Sequence, residues 1–226
     1  MRHTTARPRF PIRFAAIAGM MLACAPLGTG PVAAADRAGV FDYYVMALSW
    51  SPNWCEIEGD DRGAPECDGS RDLGWTLHGF WPQFERGWPQ DCISPYPAPS
   101  RRMTGEMADI MGASGLAWYQ WNKHGACAGL PAGEYFDLAR AAYDSVTYPD
   151  VLERLREAVR LPASLIEEAF LAENPQLSAD GLTVTCRSNM IQEVRICLTK
   201  DLEPRRCGAD VIRDCTLDSA LFTPVR

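Results

Sequence analysis

Histidine and lysine are scarce in this sequence. Its 226 residues include three histidines, and Lys123 and Lys200 are its only lysines. Asp and Glu number 29 against 22 Lys and Arg, which gives a formal net charge of −7. A protein that coats nucleic acid without base preference needs a basic surface. This class is therefore excluded, although a local site for a phosphate group is not.

Several signatures of enzymes and membrane proteins are missing as well. The apolar runs are too short to cross a bilayer comfortably, and no two cysteines have the C-x-x-C spacing of common zinc sites. Neither a G-x-S-x-G segment nor a P-loop occurs. A composition of 47% hydrophobic and 23% charged residues is typical of globular proteins. We therefore expect a globular protein that holds no metal and no cofactor.

The first 35 residues have the three parts of a secretory signal. Four arginines and no acidic residue precede an apolar run over 14–27, and an A-x-A site ends at Ala35. Cleavage after Ala35 predicts one mature domain, residues 36–226, located in the periplasm or outside the cell and free of the membrane. The alternative is a lipoprotein cleaved before Cys24, which is less favoured because leucine is more usual where Met21 stands.

Removal of the signal changes the composition of the chain. Residues 36–226 keep 18 basic and 29 acidic residues, a formal charge of −11, because four arginines leave with the signal. They also keep two histidines, His78 and His124, and eight cysteines. An even number of cysteines behind a secretory signal predicts four disulfides in an oxidising compartment. The count alone leaves their pairing open.

Strand-like segments flank a helical middle region. Apolar or alternating residues predict four strands, at 41–50, 73–79, 182–186 and 191–197. Amphipathic patterns and capping residues predict five helices, at 104–111, 116–123, 135–145, 149–159 and 164–175. The polar, Gly-rich stretch 55–74 predicts a loop. This order of elements predicts an α+β domain with helices around a central antiparallel sheet.

The two remaining histidines lie in segments that are rich in tryptophan. His78 belongs to WTLHGFWPQ at 75–83, and His124 belongs to WYQWNKHGAC at 118–127. A lone histidine is more often a packed residue, but both of these precede glycine and both have tryptophan neighbours. If 116–124 is helical, Gln120, Lys123 and His124 share one face.

An amide, an ammonium and an imidazole on one face could cradle a phosphodiester. Two histidines can act as general base and general acid near neutral pH. A lysine beside them can stabilise the negative charge that develops on phosphate oxygens, and nearby tryptophans can stack on a nucleobase. With RNA, the 2′-hydroxyl would supply the nucleophile, so no metal would be required.

Two short segments resemble the active-site segments of a known family. Residues 77–82, LHGFWP, resemble the first such segment of the ribonuclease T2 family, which includes fungal acid ribonucleases and plant S-RNases. Residues 121–127, WNKHGAC, resemble the second. The resemblance covers about 41–215. It implies an α+β fold and an endoribonuclease that cleaves single-stranded RNA through a 2′,3′-cyclic phosphate to a 3′-phosphate.

The resemblance also implies a role for each matching residue. His124 would be the base that removes the 2′-proton, His78 the acid that protonates the departing 5′-oxygen, and Lys123 the group that stabilises the phosphorane. Trp81 and Gln83 fall where the family holds the base 5′ to the cut. The family's disulfide pairing implies the bonds Cys92–Cys127, Cys186–Cys215 and Cys197–Cys207, which leaves Cys55–Cys67.

Tyr119 and Gln120 depart from the family pattern, which has His-Glu before the tryptophan. The tyrosine hydroxyl can donate one hydrogen bond to phosphate in place of the histidine, and Trp121 is expected to contact the substrate beside it. We count Gln120 with the catalytic residues because its amide can donate to a phosphate oxygen, although it cannot transfer a proton. Loss of the glutamate charge should lower the pKa of His124 relative to a Glu-bearing relative.

Two other functions are alternatives. A member without the glutamate could be a catalytically weak or silent RNA-binding protein. A thiol hydrolase that pairs a cysteine with His124 is disfavoured, because four bridges leave no free thiol. The expected partner is RNA rather than DNA, and the expected state is a monomer.

Overall fold

The computed structural model describes residues 36–226, so the predicted signal and the alternative lipid site at Cys24 lie outside the described residues. Six strands of this region form one sheet: β1 Tyr43–Trp50, β2 Trp75–Gln83, β3 Val159–Leu161, β4 Leu182–Arg187, β5 Met190–Leu198 and β6 Ala220–Phe222. The strand order is β2-β1-β5-β6-β3, and β4 also pairs with β5. All pairings are antiparallel except one parallel contact, between Met190 of β5 and Leu221 of β6.

The helices lie mainly between β2 and β4 in the chain. They are α1 Ser51–Trp54, α2 Arg101–Glu106, α3 Ala108–Met111, α4 Ser114–Lys123, α5 Ala132–Asp144, α6 Asp150–Glu153 and α7 Ser164–Glu173. A π-helical turn spans Cys55–Gly59, and 3-10 turns span Pro65–Cys67, Gly125–Ala128 and Ala179–Gly181. Helices around a largely antiparallel sheet confirm the predicted α+β class.

Strand β1 lies inside the sheet, between β2 and β5, and both of its faces are covered. Tyr44, Met46, Leu48 and Trp50 are all at most 2% exposed and pack in the main hydrophobic core. Val45, on the opposite face, belongs to a second, smaller apolar cluster. An apolar run buried on two sides explains why this segment does not alternate with polar residues. The face of β1 that carries Val45 also lines a cavity with polar side chains that β2 and α4 bring together.

Four predicted elements differ from the structure. The helix over 104–111 is divided at Met107 into the end of α2 and the whole of α3. Strand β2 does not end at His78 but continues to Gln83, because β1 pairs with it along its whole length. The predicted helix over 149–159 is wrong beyond α6, since Val159 begins β3, where it pairs with Phe222 of β6. The predicted loop 55–74 begins with the π-helical turn. For β2 and β3, a strand distant in sequence decides the local conformation.

Four disulfides connect the described cysteines in the pairing implied by the family resemblance: Cys55–Cys67, Cys92–Cys127, Cys186–Cys215 and Cys197–Cys207. Each removes conformational freedom from the unfolded chain and stabilises the fold by about 2–4 kcal/mol. The second fastens the turn that follows His124. Among the helices of residues 36–226, none has the length and apolar character needed to span a membrane.

Candidate active site

A β-bulge sets the direction of His78. Leu48 pairs with Leu77 and Ala47 pairs with Gly79, so His78 is the additional residue of β2 at this point. In a regular strand, residues three apart point to opposite faces. The bulge shifts this alternation, and His78 and Trp81 therefore reach the same cavity.

The second segment reaches that cavity from the end of α4. Gln120, Lys123 and His124 all line it, as their predicted spacing on one helix face requires. His124 is the C-terminal cap of α4, and its backbone N–H donates to the Gln120 carbonyl at 2.9 Å. The helix end therefore holds the imidazole in a fixed direction.

The glycine after each histidine lies at a close approach. A Cβ at Gly79 would lie 2.0 Å from Trp81 Nε1 and 2.7 Å from Gln120 Oε1. A Cβ at Gly125 would lie 2.8 Å from the ring of Tyr135. Neither position has room for a side chain, because side chains of the site and of the core lie directly against the glycine backbone. This explains physically why both histidines are followed by glycine.

The cavity has a volume of about 330 Å³ and contains most of the residues expected at the site. Those expected from the sequence are His78, Trp81, Gln83, Tyr119, Gln120, Lys123 and His124. Those that were not expected are Val45, Trp88, Arg195, Asp210 and Val211. A second cavity, of about 590 Å³, shares His78 and Tyr119 with the first.

Trp121 does not line either cavity. It is 2% exposed and packs in the core, with its ring 5.5 Å from that of Tyr135 and 6.2 Å from that of Phe136. This corrects the expectation that Trp121 contacts the substrate. One residue along a helix turns the side chain by about 100°, and that turn carries Trp121 from the face of Gln120 into the core.

Trp81 stands between the two histidines. Its ring centroid is 5.4 Å from that of His78 and 5.5 Å from that of His124. The indole Nε1 donates to Gln120 Oε1 at 2.8 Å. Gln120 is 2% exposed, and with its oxygen engaged in this way its amide can offer only N–H donors to a ligand.

His124 is enclosed and has cationic neighbours. It is 9% exposed, and its Nδ1 atom has no hydrogen-bond partner among the described residues. Burial lowers the pKa of His124 to about 4, with further contributions from the charges of Lys123 and His78. The Lys123 ammonium donates to the Tyr119 hydroxyl at 3.2 Å. His124 is therefore neutral over most of the physiological pH range.

His78 has the opposite surroundings. Its side chain is 35% exposed, and its Nδ1 lies 2.5 Å from Glu193 Oε1. Burial alone would raise the pKa of Glu193, but hydrogen bonds and charges from His78 and Arg195 hold that pKa well below its ordinary value. Neither Glu193 nor Arg195 was expected from the sequence. No local motif marks them, because their contact with His78 depends on the order of the strands.

One group of residues in the described region has metal-ligand types close together, namely Cys55, Asp60 and Cys67. The two sulfurs are bonded to each other, and Asp60 pairs with Arg226 at 2.7 Å. Cysteine binds a metal ion as a thiolate, and the sulfurs of a disulfide are not thiolates. This group therefore does not have the chemistry of a metal centre.

The fold and the site together define a disulfide-linked α+β enzyme with paired histidines in an open cavity. The family model described as "Ribonuclease T2 family" matches residues 41–207. A ribonuclease of Aeromonas hydrophila is 35% identical over 198 residues, which cover 81% of this chain and 82% of that protein. The chain therefore belongs to the ribonuclease T2 family, a family of RNA-cleaving enzymes.

Solved structures agree with this fold. An RNase-related protein from Calystegia sepium superimposes with a TM-score of 0.62 at 19% identity, over 81% of this chain and 97% of that one. RNase NT, solved in complex with 5′-AMP, superimposes with a TM-score of 0.54 at 18% identity, over 80% and 97% of the two chains.

Proposed function

We propose that this protein is a secreted or periplasmic endoribonuclease that cuts single-stranded RNA without a metal ion. The observation that carries the proposal is the pair of histidines in one cavity with opposite surroundings. His124 is buried and neutral, as a base requires, whereas the Nδ1 atom of His78 lies 2.5 Å from a carboxylate oxygen, which leaves Nε2 to face the substrate as the acid.

In the first step, His124 accepts the proton of the 2′-hydroxyl. The 2′-oxygen attacks phosphorus, and the bond from phosphorus to the 5′-oxygen breaks while His78 donates a proton to that oxygen. The products are a 2′,3′-cyclic phosphate and a free 5′-hydroxyl. In the second step the histidines exchange roles, and water opens the cyclic ester to a 3′-phosphate.

Two groups stabilise the additional negative charge of the pentavalent phosphorane. Lys123 supplies the cation, and Gln120 supplies amide N–H donors. Tyr119 adds a hydroxyl beside Lys123. A glutamine is sufficient here because donation to a phosphate oxygen does not require a proton to be transferred.

The cavity also offers a place for the base on the 5′ side of the cut. Trp81 lines it, and the half-exposed Trp88 can stack against a base. Gln83 is 5% exposed, and its Oε1 has no partner among the described residues, so it is free to accept from a base amino or imino group. RNase NT binds 5′-AMP in its solved structure, which supports a nucleotide ligand for this cavity.

The location outside the cytoplasm is supported by the four disulfides. Such bonds persist in oxidising compartments and are rare in reducing ones. Cleavage of the predicted signal would release the chain from residue 36 as a monomer. Its acidic balance leaves the RNA held locally, by Lys123, Arg195 and stacking aromatic rings, which favours release of the product.

The test uses the purified mature protein with RNA and with DNA in the presence of a chelator. We expect cleavage of RNA alone, with cyclic phosphate at the new ends, because DNA has no 2′-hydroxyl. We also expect loss of cleavage in His78→Ala and in His124→Ala. Absence of RNA cleavage at every pH from acid to neutral would contradict the proposal and leave a silent RNA-binding protein. Loss of cleavage in the chelator would contradict metal independence.

A further inference from the structure

We propose that Glu193 is a positioning residue for the acid step: it orients the His78 imidazole and balances the charge of its protonated form. The proposal rests on the proposed function of His78 as the acid. It concerns a residue 115 positions from His78 in the sequence, outside both active-site segments.

The sheet brings the two residues together. Strands β2 and β5 flank β1 on opposite sides, and Glu193 pairs in register with Ser49 of β1. On the β4 side, the register passes from Glu193 to Ile191 and leaves Gln192 as the additional residue. Both partners of the His78–Glu193 contact thus lie at or beside a bulge, the feature that redirects side chains in a sheet.

The Glu193 carboxylate is buried, and both of its oxygens have partners. Glu193 is 1% exposed, and a carboxylate so far from water is costly unless both oxygens are paired. Oε1 meets His78 Nδ1 at 2.5 Å. Oε2 accepts from Arg195 Nε at 2.9 Å and from its terminal nitrogen at 2.7 Å. Both oxygens of the carboxylate are therefore paired, and these contacts keep it charged although it is buried.

Both side chains that Glu193 contacts belong to the active-site cavity. His78 and Arg195 line it, and the Arg195 guanidinium lies 5.5 Å from the centroid of the Trp81 ring. A buried ion pair contributes little net stability compared with apolar packing. Glu193 contacts two side chains that line the cavity. The chemistry of the cavity therefore explains the position of this carboxylate better than stability does.

The contact also selects the nitrogen that faces the substrate. With Nδ1–H donating to Glu193, Nε2 is the ring nitrogen that remains to hold the proton delivered to the 5′-oxygen. The carboxylate compensates the imidazolium charge until that proton leaves. This is the arrangement by which a buried acid fixes the tautomer of a catalytic histidine.

Other titratable groups line the two cavities that His78 shares. Lys123, His124 and Tyr119 face it from α4 and its end, and Arg195 and Asp210 line the same cavity. Across the second cavity lie Arg62 and Arg187, both paired with Glu58, and Glu66, whose Oε2 has no hydrogen-bond partner among the described residues. Glu193 is the carboxylate that contacts the ring directly, so removal of its charge should change the behaviour of His78 more than removal of any of these.

The test compares Glu193→Gln with Glu193→Asp. Glutamine keeps the shape and an oxygen that accepts from Nδ1–H, but it removes the charge; aspartate keeps the charge. Glu85→Gln is the matched control, because it removes a carboxylate paired with an arginine, Arg205, outside both cavities. Thermal unfolding establishes that each variant is folded before kcat, KM and pH profiles are measured on a dinucleoside phosphate.

For Glu193→Gln we expect kcat to fall by about 10- to 100-fold with little change in KM, since only part of the acid catalysis is lost. The decline of activity at high pH should begin at a lower pH, because the imidazolium has lost its counter-charge. Aspartate should restore part of both effects. A folded glutamine variant with the wild-type kcat and high-pH decline would overturn the proposal, and so would a change confined to KM.

A second measurement tests the role of Glu193 even if the protein does not cleave RNA. The mature chain has two histidines, so their imidazole signals can be followed by NMR without substrate. The Nδ1–H proton of His78 should resonate further downfield in the wild type than in Glu193→Gln, because a hydrogen bond to a carboxylate is stronger than one to an amide, even if the wild type does not cleave RNA. An unchanged Nδ1–H signal would overturn the role of Glu193 whether or not the enzyme is active.

Discussion

His78 and His124 are the same side chain in two different structural settings. His78 lies in the middle of β2, is 35% exposed at its side chain, and contacts the Glu193 carboxylate. His124 lies at the end of α4, is 9% exposed, and has the Lys123 ammonium as its sequence neighbour. One ring is thus beside an anion, and the other is buried beside a cation.

This difference separates the two roles in a reaction that needs an acid and a base at the same pH. Two identical groups in identical surroundings would gain and lose protons together. Burial and neighbouring cations lower the pKa of His124 to about 4, while the ring of His78 contacts the Glu193 carboxylate. We therefore propose that the neighbours of the two rings decide which one is the acid and which one is the base, with the same roles that the two sequence segments imply.

Removal of either histidine should have the largest effect. We expect His78→Ala and His124→Ala each to lower kcat on RNA by roughly 1,000-fold, within the range of general acid–base catalysis. Single-turnover cleavage of a labelled oligonucleotide measures both. A loss of less than tenfold in either variant would mean that the ring is not a proton-transfer group.

Replacement of Lys123 should have the next largest effect on kcat and should also change the pKa of His124. Lys123→Gln should lower kcat by about 100-fold because the phosphorane loses a cation. Loss of the same charge should raise the pKa of His124, since Lys123 contributes to lowering it. His124 acts when neutral, so the rise of activity with pH should move to higher pH.

Lys200→Gln is the matched control for this variant. Lys200 is the other lysine of the chain, and its ammonium lies 4.1 Å from the centroid of the Phe41 ring, outside the active-site cavity. It should leave both kcat and the low-pH rise unchanged. Equal effects of the two variants would show that Lys123 acts only through net charge.

Gln120→Glu should change the low-pH rise with a smaller effect on the maximum rate. An anion beside His124 should raise its pKa, so the rise of activity should move to higher pH. The pH–rate profile measures the shift, and Gln176→Glu, at an exposed position, is the control. A rise that does not move would contradict the electrostatic account of Gln120.

The smallest effect is on stability rather than rate. The folded-state pKa of His124, about 4, lies below the unfolded value of about 6.5, so the unfolded chain binds this proton more readily as pH falls. His124 therefore destabilises the fold progressively below about pH 6.5, by roughly 3 kcal/mol once pH reaches 4. Urea unfolding of the wild type and of His124→Asn should diverge over this range. Parallel pH dependences would contradict the lowered pKa.

The part of the site that could be predicted lies in short segments. The i, i+3, i+4 spacing of Gln120, Lys123 and His124 places them on one helix face wherever that helix lies. The position of Trp121 could not be predicted in the same way, because its side depends on which face of α4 meets the core. The four longest strands, β1, β2, β4 and β5, were predictable for a similar local reason, since their residues are apolar or alternate.

The partners of His78 required the tertiary structure. Glu193 is one polar residue in a strand-like segment, and nothing near it in sequence distinguishes it from Glu167 or Glu168. Its contact with His78 follows from β1 lying between β2 and β5, and from the bulge at each end of the contact. The failure of the predicted helix at 149–159 has the same cause, because β6 arrives from the C-terminus to pair with β3.

The most direct test of the acid–base assignment is cleavage of a substrate whose leaving group needs no proton. A uridine 3′-(4-nitrophenyl phosphate) has such a leaving group, whereas the 5′-oxygen of RNA must be protonated as it departs. The account predicts that His78→Ala cleaves the nitrophenyl ester at close to the wild-type rate but fails on RNA, and that His124→Ala fails on both. Recovery of His124→Ala on the ester, with His78→Ala inactive on it, would contradict the assignment.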